Sequence, residues 1–86
     1  MQATNGKILN PGKVISVQGP VVDVKFLNLN DVPDIYDVIF VMAVDGRELT
    51  LEVAEHLPNN IARCISIQAT INIQRYSTAK PSGKPI

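Results

Sequence analysis
Nucleophilic or metal chemistry in this sequence would have to run through His56 and Cys64, its one histidine and its one cysteine. A lone histidine rules out a multi-histidine zinc site. A Cys–His nucleophile pair needs the thiol beside the imidazole, and a turn separates these two residues. Cys64 stands among Ile61, Ala62, Ile65 and Ile67, where a thiol acts as a small, unreactive hydrophobe. Both residues are read as structural.

Carboxylates are the next resource. Glu48, Glu52 and Glu55 could supply an acid/base pair, but alternation with Leu49, Leu51 and Val53 turns Glu48, Thr50 and Glu52 away from the core, with no pocket implied. That polar face is read as solvated or as a subunit-contact surface. Asp31, Asp34 and Asp37 lack the Asp-x-Asp-x-Asp-Gly order and the terminal glutamate that wrap calcium, so they read as a solvated acidic turn. Gly83-Lys84 resembles the end of a phosphate-binding loop, yet Thr78 replaces its first glycine and Pro85 its hydroxyl residue, with no strand–loop–helix around it. Phe26, Phe40, Tyr36 and Tyr76 are the only aromatic residues, a thin supply for stacking bases. The sequence is therefore read as holding no catalytic residue, no nucleotide-binding residue and no metal ligand.

The elements that carry these residues follow from size and pattern. A chain of 86 residues, 45% hydrophobic and 19% charged, holds one core. Eight basic and eight acidic side chains cancel, leaving no field to attract nucleic acid or an anionic membrane. One cysteine excludes an internal disulfide, and no apolar N-terminal stretch suggests a signal peptide or membrane span; a reducing, soluble compartment is expected.

Polar residues 1–11 read as a mobile leader. Over residues 13–26, Ile15 and Val17 share one parity and Val22, Val24 and Phe26 the other, so a bend or bulge is expected at Gly19-Pro20. The cluster at 28–34 is turn chemistry. The apolar run 38–44 reads as a strand buried on both faces, and Asp45-Gly46 as a two-residue type I′ hairpin leading into the strand of Leu49, Leu51 and Val53. After a turn at Pro58-Asn59-Asn60, Ile61, Ile65, Ile67, Ala69, Ile71 and Ile73 share one parity, predicting one long β segment or two joined by a bend. No helical period competes. The predicted fold is all-β, a small closed Greek-key or sandwich-like barrel over residues 12–76. The Ser-, Lys-, Pro- and Gly-rich residues 77–86 read as a disordered tail or linker outside the core.

Several segments match a known pattern in one order. Gly12-Lys13-Val14-Ile15 and Gly19-Pro20-Val21-Val22-Asp23-Val24-Lys25-Phe26 resemble the opening of the β subunit of F-type ATP synthases. Val32-Pro33-Asp34-Ile35-Tyr36-Asp37 is similar to that family's Leu-Pro-x-Ile-Tyr-Asn segment. Leu51-Glu52-Val53-Ala54-Glu55-His56-Leu57 is similar to its Leu-Glu-Val-Ala-Gln-His-Leu strand, and Arg63 with Ile65-Ser66-Ile67 to its Val-Arg-x-Ile-Ala-Met. The α subunit and the type III secretion ATPases fit these segments less well. Ile71-Asn72-Ile73-Gln74-Arg75-Tyr76 departs from the family's Asp-Gly-Leu-Val-Arg-Gly, keeping the arginine and losing both glycines, while Gly83, Pro85 and Ile86 fit its Gly-x-Pro-Ile.

The resemblance implies a six-stranded barrel in the collar of an alternating α/β hexamer, part of a proton-translocating rotary ATP synthase. Its partners would be α-type and other ring subunits, with no nucleic acid and no direct membrane contact. ATP or ADP and Mg²⁺ would bind downstream in a full subunit, so no cofactor and no catalysis are expected of this segment alone. Glu48, Thr50 and Glu52 become the expected subunit interface. A bacterial complex, cytoplasmic and peripheral to the inner membrane, is expected from Met1 without an Arg-rich leader. The alternative is a stand-alone paralogous barrel acting as an assembly or regulatory factor, or as a small ligand- or oligonucleotide-binding module.

Overall fold
The computed structural model describes residues 9–86. Six antiparallel strands follow the chain: β1 (Gly12–Gln18), β2 (Val21–Lys25), β3 (Asp37–Met42), β4 (Glu48–Leu57), β5 (Ile61–Ser66) and β6 (Thr78–Pro85), with one 3-10 turn at Leu29–Asp31. They close into a barrel in the order β1-β2-β5-β4-β3-β6, a Greek-key path. The all-β, six-stranded closed barrel expected from the sequence is the fold of the chain. Of the residues read as a leader, 1–8 lie outside the described residues.

The core is the inward parity of every strand. Val14, Val22, Val24, Phe26, Ile39, Val41, Leu51, Val53, Ala62, Cys64 and Ala79 pack together, all fully or almost fully buried. Each of the larger side chains gains about 1.5–3 kcal/mol from leaving water. Leu49, Leu51 and Val53 point inward as alternation requires. In β3, Ile39 and Val41 join the core and Val38 is buried on the other face, but Met42 is more than half exposed, so burial on both faces holds only for part of the strand.

Four expectations are corrected. Gly19-Pro20 is the two-residue loop of a tight hairpin, with Gln18 opposite Val21 and Val17 opposite Val22; the bulge sits upstream, at Ile15, between the Val14–Val24 and Ser16–Asp23 pairs. Gly19 has φ +58 with open space where a Cβ would lie, so backbone conformation and not crowding calls for glycine at the first central position.

The Asp45-Gly46 hairpin is longer than a two-residue loop. The Gly46 amide donates to the Ala43 carbonyl and the Ala43 amide to Arg47, with only Gly46 at positive φ (+91). This is a turn over 43–46 closed by a glycine bulge. Arg47 favours it, donating from its amide and Nε to the Asp45 carboxylate at 3.2 and 3.1 Å.

The isoleucines of the C-terminal half do not act as one strand face: Ile65, Ile67 and Ile71 are exposed, while Ile73 packs against the core. Pairing of Val22 with Cys64 and Val24 with Ala62 turns the even positions of β5 inward and Ile65 outward, and Ile67 and Ile71 are exposed in the loop beyond the strand. A one-residue change of register moves every side chain to the opposite face. The strand also ends at Ser66, short of the long segment expected.

Residues 77–86 are not a linker outside the core. Residues 78–85 are β6, which closes the barrel, and Ala79 is completely buried. Prolines fit here because β6 pairs with β1 only at Gly12–Ala79 and Lys13–Thr78, so Pro81 and Pro85 sit where one side of the ladder is open. A bulge around Gly83 (φ +83) takes up the register change against β3.

Candidate functional site
Antiparallel pairing gathers one outer face around β4. Glu48 lies opposite Met42, Thr50 opposite Phe40, and Glu52 opposite both Val38 and Ile65. Side chains directly opposite share a face and stand close enough to touch. Two carboxylates are thus set in an apolar surround, with Met42, Ile65 and Ile67 exposed at its edges. The Thr50 amide takes the Gln68 side-chain oxygen at 3.0 Å, and the Thr50 carbonyl accepts from the Ile67 amide at 3.3 Å, which fixes the loop after β5 against this face. Lys80 of β6 lies opposite Phe40 and lines, with Phe40, Met42 and Glu48, a shallow depression of about 390 Å³.

Among the described residues, the ion pairs are Arg47–Asp45 and Arg63–Asp23. Glu48 and Glu52 are left without a cationic partner. Such a face can offer acceptors and apolar contact to another protein, and it has no enclosed volume for chemistry. Glu55, by contrast, leaves the group: the bulge at Ala54 carries it opposite Arg63.

Arg63 and Asp23 form the other organised polar feature of the outer wall. The guanidinium donates from Nε to Oδ1 and from Nη2 to Oδ2, both at 3.0 Å, across the β2–β5 pair. Asp23 is only 8% exposed, so the fork satisfies a carboxylate largely removed from water. Hydrogen bonding to Asp23, and then its charge, hold the Arg63 guanidinium above its ordinary range.

His56 and Cys64 are not brought together. Cys64 points into the core, its Sγ 3.7 Å from the Ala62 carbonyl, and burial, with a smaller contribution from Asp23, pushes its thiol up to about 12. A thiol so held is no nucleophile. His56 sits on the outside and donates from Nε2 to the Pro33 carbonyl at 2.7 Å. A carbonyl can only accept, so this bond fixes the proton on Nε2. It ties β4 to the loop before β3.

Asp31, Asp34 and Asp37 do share a cleft, of about 300 Å³, with Pro33, Pro81 and Leu9. Asp31 accepts from the side chains of Asn10 (3.0 Å) and Asn28 (3.3 Å). Among the described residues no three histidine, cysteine or carboxylate side chains group to hold a metal ion. Gly83-Lys84 lies in the bulge of β6, where Ser82 and Lys84 bond each other, and no phosphate loop forms.

Sequence reasoning missed one group. Lys13 and Lys25 lie directly opposite on β1 and β2, beside an apolar groove that includes Tyr76. A two-residue hairpin at Gly19-Pro20 alone would set Lys25 opposite Val14; the bulge at Ile15, which no glycine or proline announces, is what brings the two lysines opposite each other.

The closed six-strand order, the bulged hairpins and the position of β6 fix the architecture independently of any likeness between sequences. The model of the ATP synthase alpha/beta family, beta-barrel domain, matches residues 14–83, from within β1 to within β6. By that match over most of its length, the chain belongs to the ATP synthase alpha/beta family, as its beta-barrel domain.

Proposed function
We propose that the chain is the collar barrel of a β-type subunit in a proton-translocating rotary ATP synthase, where it holds α-type neighbours in an alternating hexamer and performs no catalysis itself. The observation that carries this reading is the β4 face, where Glu48 and Glu52 have no cationic partner among the described residues and stand among exposed Met42, Ile65 and Ile67. Two acceptor carboxylates in an apolar surround suit a neighbour that brings cations and its own apolar contact. Family membership supports a ring of related subunits. The β-type assignment rests on the resemblance of residues 12–67. ATP, ADP and Mg²⁺ are bound elsewhere in the assembly, which lies on the cytoplasmic side of a bacterial inner membrane.

Co-sedimentation of the 86-residue chain with an α-type subunit tests it. The chain travels with the subunit, and a Glu48→Lys/Glu52→Lys variant with an unchanged unfolding midpoint does not. Failure of the unaltered chain to associate, or indifference to the double reversal, overturns the contact. Heat of binding with millimolar ATP in calorimetry overturns the non-catalytic role.

A further inference from the structure
The geometry points to a second protein-binding surface, a groove where β1 begins and β2 ends that takes an extended peptide segment combining acidic and apolar side chains. It does not depend on the ring-contact reading. In the closed order, β5 separates it from β4 on one side, and β6 and β3 do so on the other.

Three observations carry it. The first is charge. Lys13 and Lys25 face each other directly across the ladder, an arrangement of like charges that destabilises a sheet. Neither forms an ion pair among the described residues. Lys13 Nζ donates to the Thr78 hydroxyl at 3.1 Å and Lys25 Nζ to the Asn59 carbonyl at 2.7 Å. The two ammonium groups are thus drawn toward opposite neighbours, β6 and the β4–β5 turn, and flank the space between them.

The second is that space. The groove encloses about 660 Å³ and includes Ile15, Phe26, Leu27 and Tyr76 among its lining. Leu27 is 89% exposed and Tyr76 62%, a large apolar area left in water beside two cations without an ion-pair partner among the described residues; Asp31, the one carboxylate in the lining, accepts from the Asn10 and Asn28 side chains instead.

The third is conformation. Tyr76 has φ +70, a left-handed conformation that is costly for a bulky side chain and that persists only where surrounding structure enforces it. Its amide donates to the Val14 carbonyl at 2.6 Å, the Val14 amide donates to the Ser77 carbonyl at 3.0 Å, and Arg75 stands 5.1 Å over its ring. The strain keeps an exposed aromatic ring at the edge of the groove. Together these features match carboxylates for the lysines and apolar side chains for Leu27 and Tyr76, in the alternation an extended strand supplies. Residues 1–8 carry Lys7 and no carboxylate, so charge complementarity points to another chain.

The test is an amide chemical-shift titration of the 86-residue chain with an acetylated hexapeptide of alternating leucine and glutamate. A leucine–lysine hexapeptide and a short single-stranded oligothymidylate are run in parallel. Shifts confined to Gly12, Lys13, Lys25, Leu27 and Tyr76, weakened by salt, are expected from the acidic peptide alone. Lys13→Gln/Lys25→Gln weakens binding about tenfold, the scale of two exposed charge pairs. Tyr76→Gly weakens binding while leaving the unfolding midpoint unchanged or raised, because glycine relieves the strain; a merely structural tyrosine would lower the midpoint instead. No shifts at millimolar acidic peptide, equal shifts with the lysine peptide, shifts on β4 instead, or a stronger response to the oligothymidylate each overturn the proposal.

Discussion
Cys64 and Gly12 illustrate how little freedom a barrel of this size leaves a single residue. The Cys64 thiol is pushed up to about 12, chiefly by burial, while in the unfolded chain it titrates near the ordinary cysteine value. Between those two values the unfolded state has lost a proton that the folded state keeps. The stabilising contribution is therefore complete below about pH 9 and falls by about 1.4 kcal/mol per pH unit above it. Chemical unfolding of the chain and of Cys64→Ala from pH 8 to 11 checks the slope, which should be shallower in the variant; identical slopes would assign the alkaline loss to other groups. Gly12 is constrained by space. A Cβ there would lie 2.7 Å from the Lys25 carbonyl oxygen and 2.8 Å from both the Phe26 ring and Val24. Gly12→Ala should cost about 1–3 kcal/mol through overpacking, read as a lower denaturant midpoint; a neutral or stabilising result would mean that Phe26 moves freely. The inertness of Cys64 was legible from its apolar neighbours. The close approach at Gly12 was not, because the atoms it meets come from a strand whose register no local pattern reveals.

Elements were legible where alternation and turn chemistry agreed, as in β4 and at Pro58-Asn59-Asn60, where Asn59 and Asn60 take φ +70 and +63. They were hidden where one residue of bulge changed the parity. Ile15 in β1 and Ala54 in β4 are such residues, and neither is a glycine or proline that would announce a bulge. Composition misled in β6, whose prolines, serine and glycine resemble a linker although the strand pairs with β3 from Val41–Ala79 to Asp37–Pro85. Ala79 settles its importance, being fully buried in the core. Removing residues 78–86 should abolish cooperative unfolding, since it exposes the edges of both β1 and β3; a truncated chain with an unchanged melting transition would restore the linker reading. The β1–β6 seam is the short one, with two ladder pairs extended by the Val14–Ser77 and Tyr76–Val14 hydrogen bonds. Native-state hydrogen exchange should be faster along it than across β2–β5.

At the scale of the whole molecule, the balance of charge and the turned-out isoleucines act together. Eight positive and eight negative side chains cancel, and the isoelectric point is near pH 6.5. Little long-range repulsion therefore keeps copies apart near neutrality. Ile65, turned outward by the β2–β5 register, is 41% exposed, and Ile67 and Ile71, in the loop after β5, are 66% and 70% exposed, so these three isoleucines form apolar surface. Exposed apolar area on a chain without net charge favours self-association. Sedimentation velocity of the isolated chain should show concentration-dependent association that is strongest near pH 6.5 and recedes by pH 8.5, as net negative charge accumulates. Ile67→Lys/Ile71→Lys should suppress it while shifting stability by no more than about 0.5 kcal/mol, the usual range for surface substitutions. A chain that stays monomeric at pH 6.5, or one whose association survives both lysines, would mean that these isoleucines are ordinary scattered surface residues and that the β4 face is held apart by its carboxylates alone.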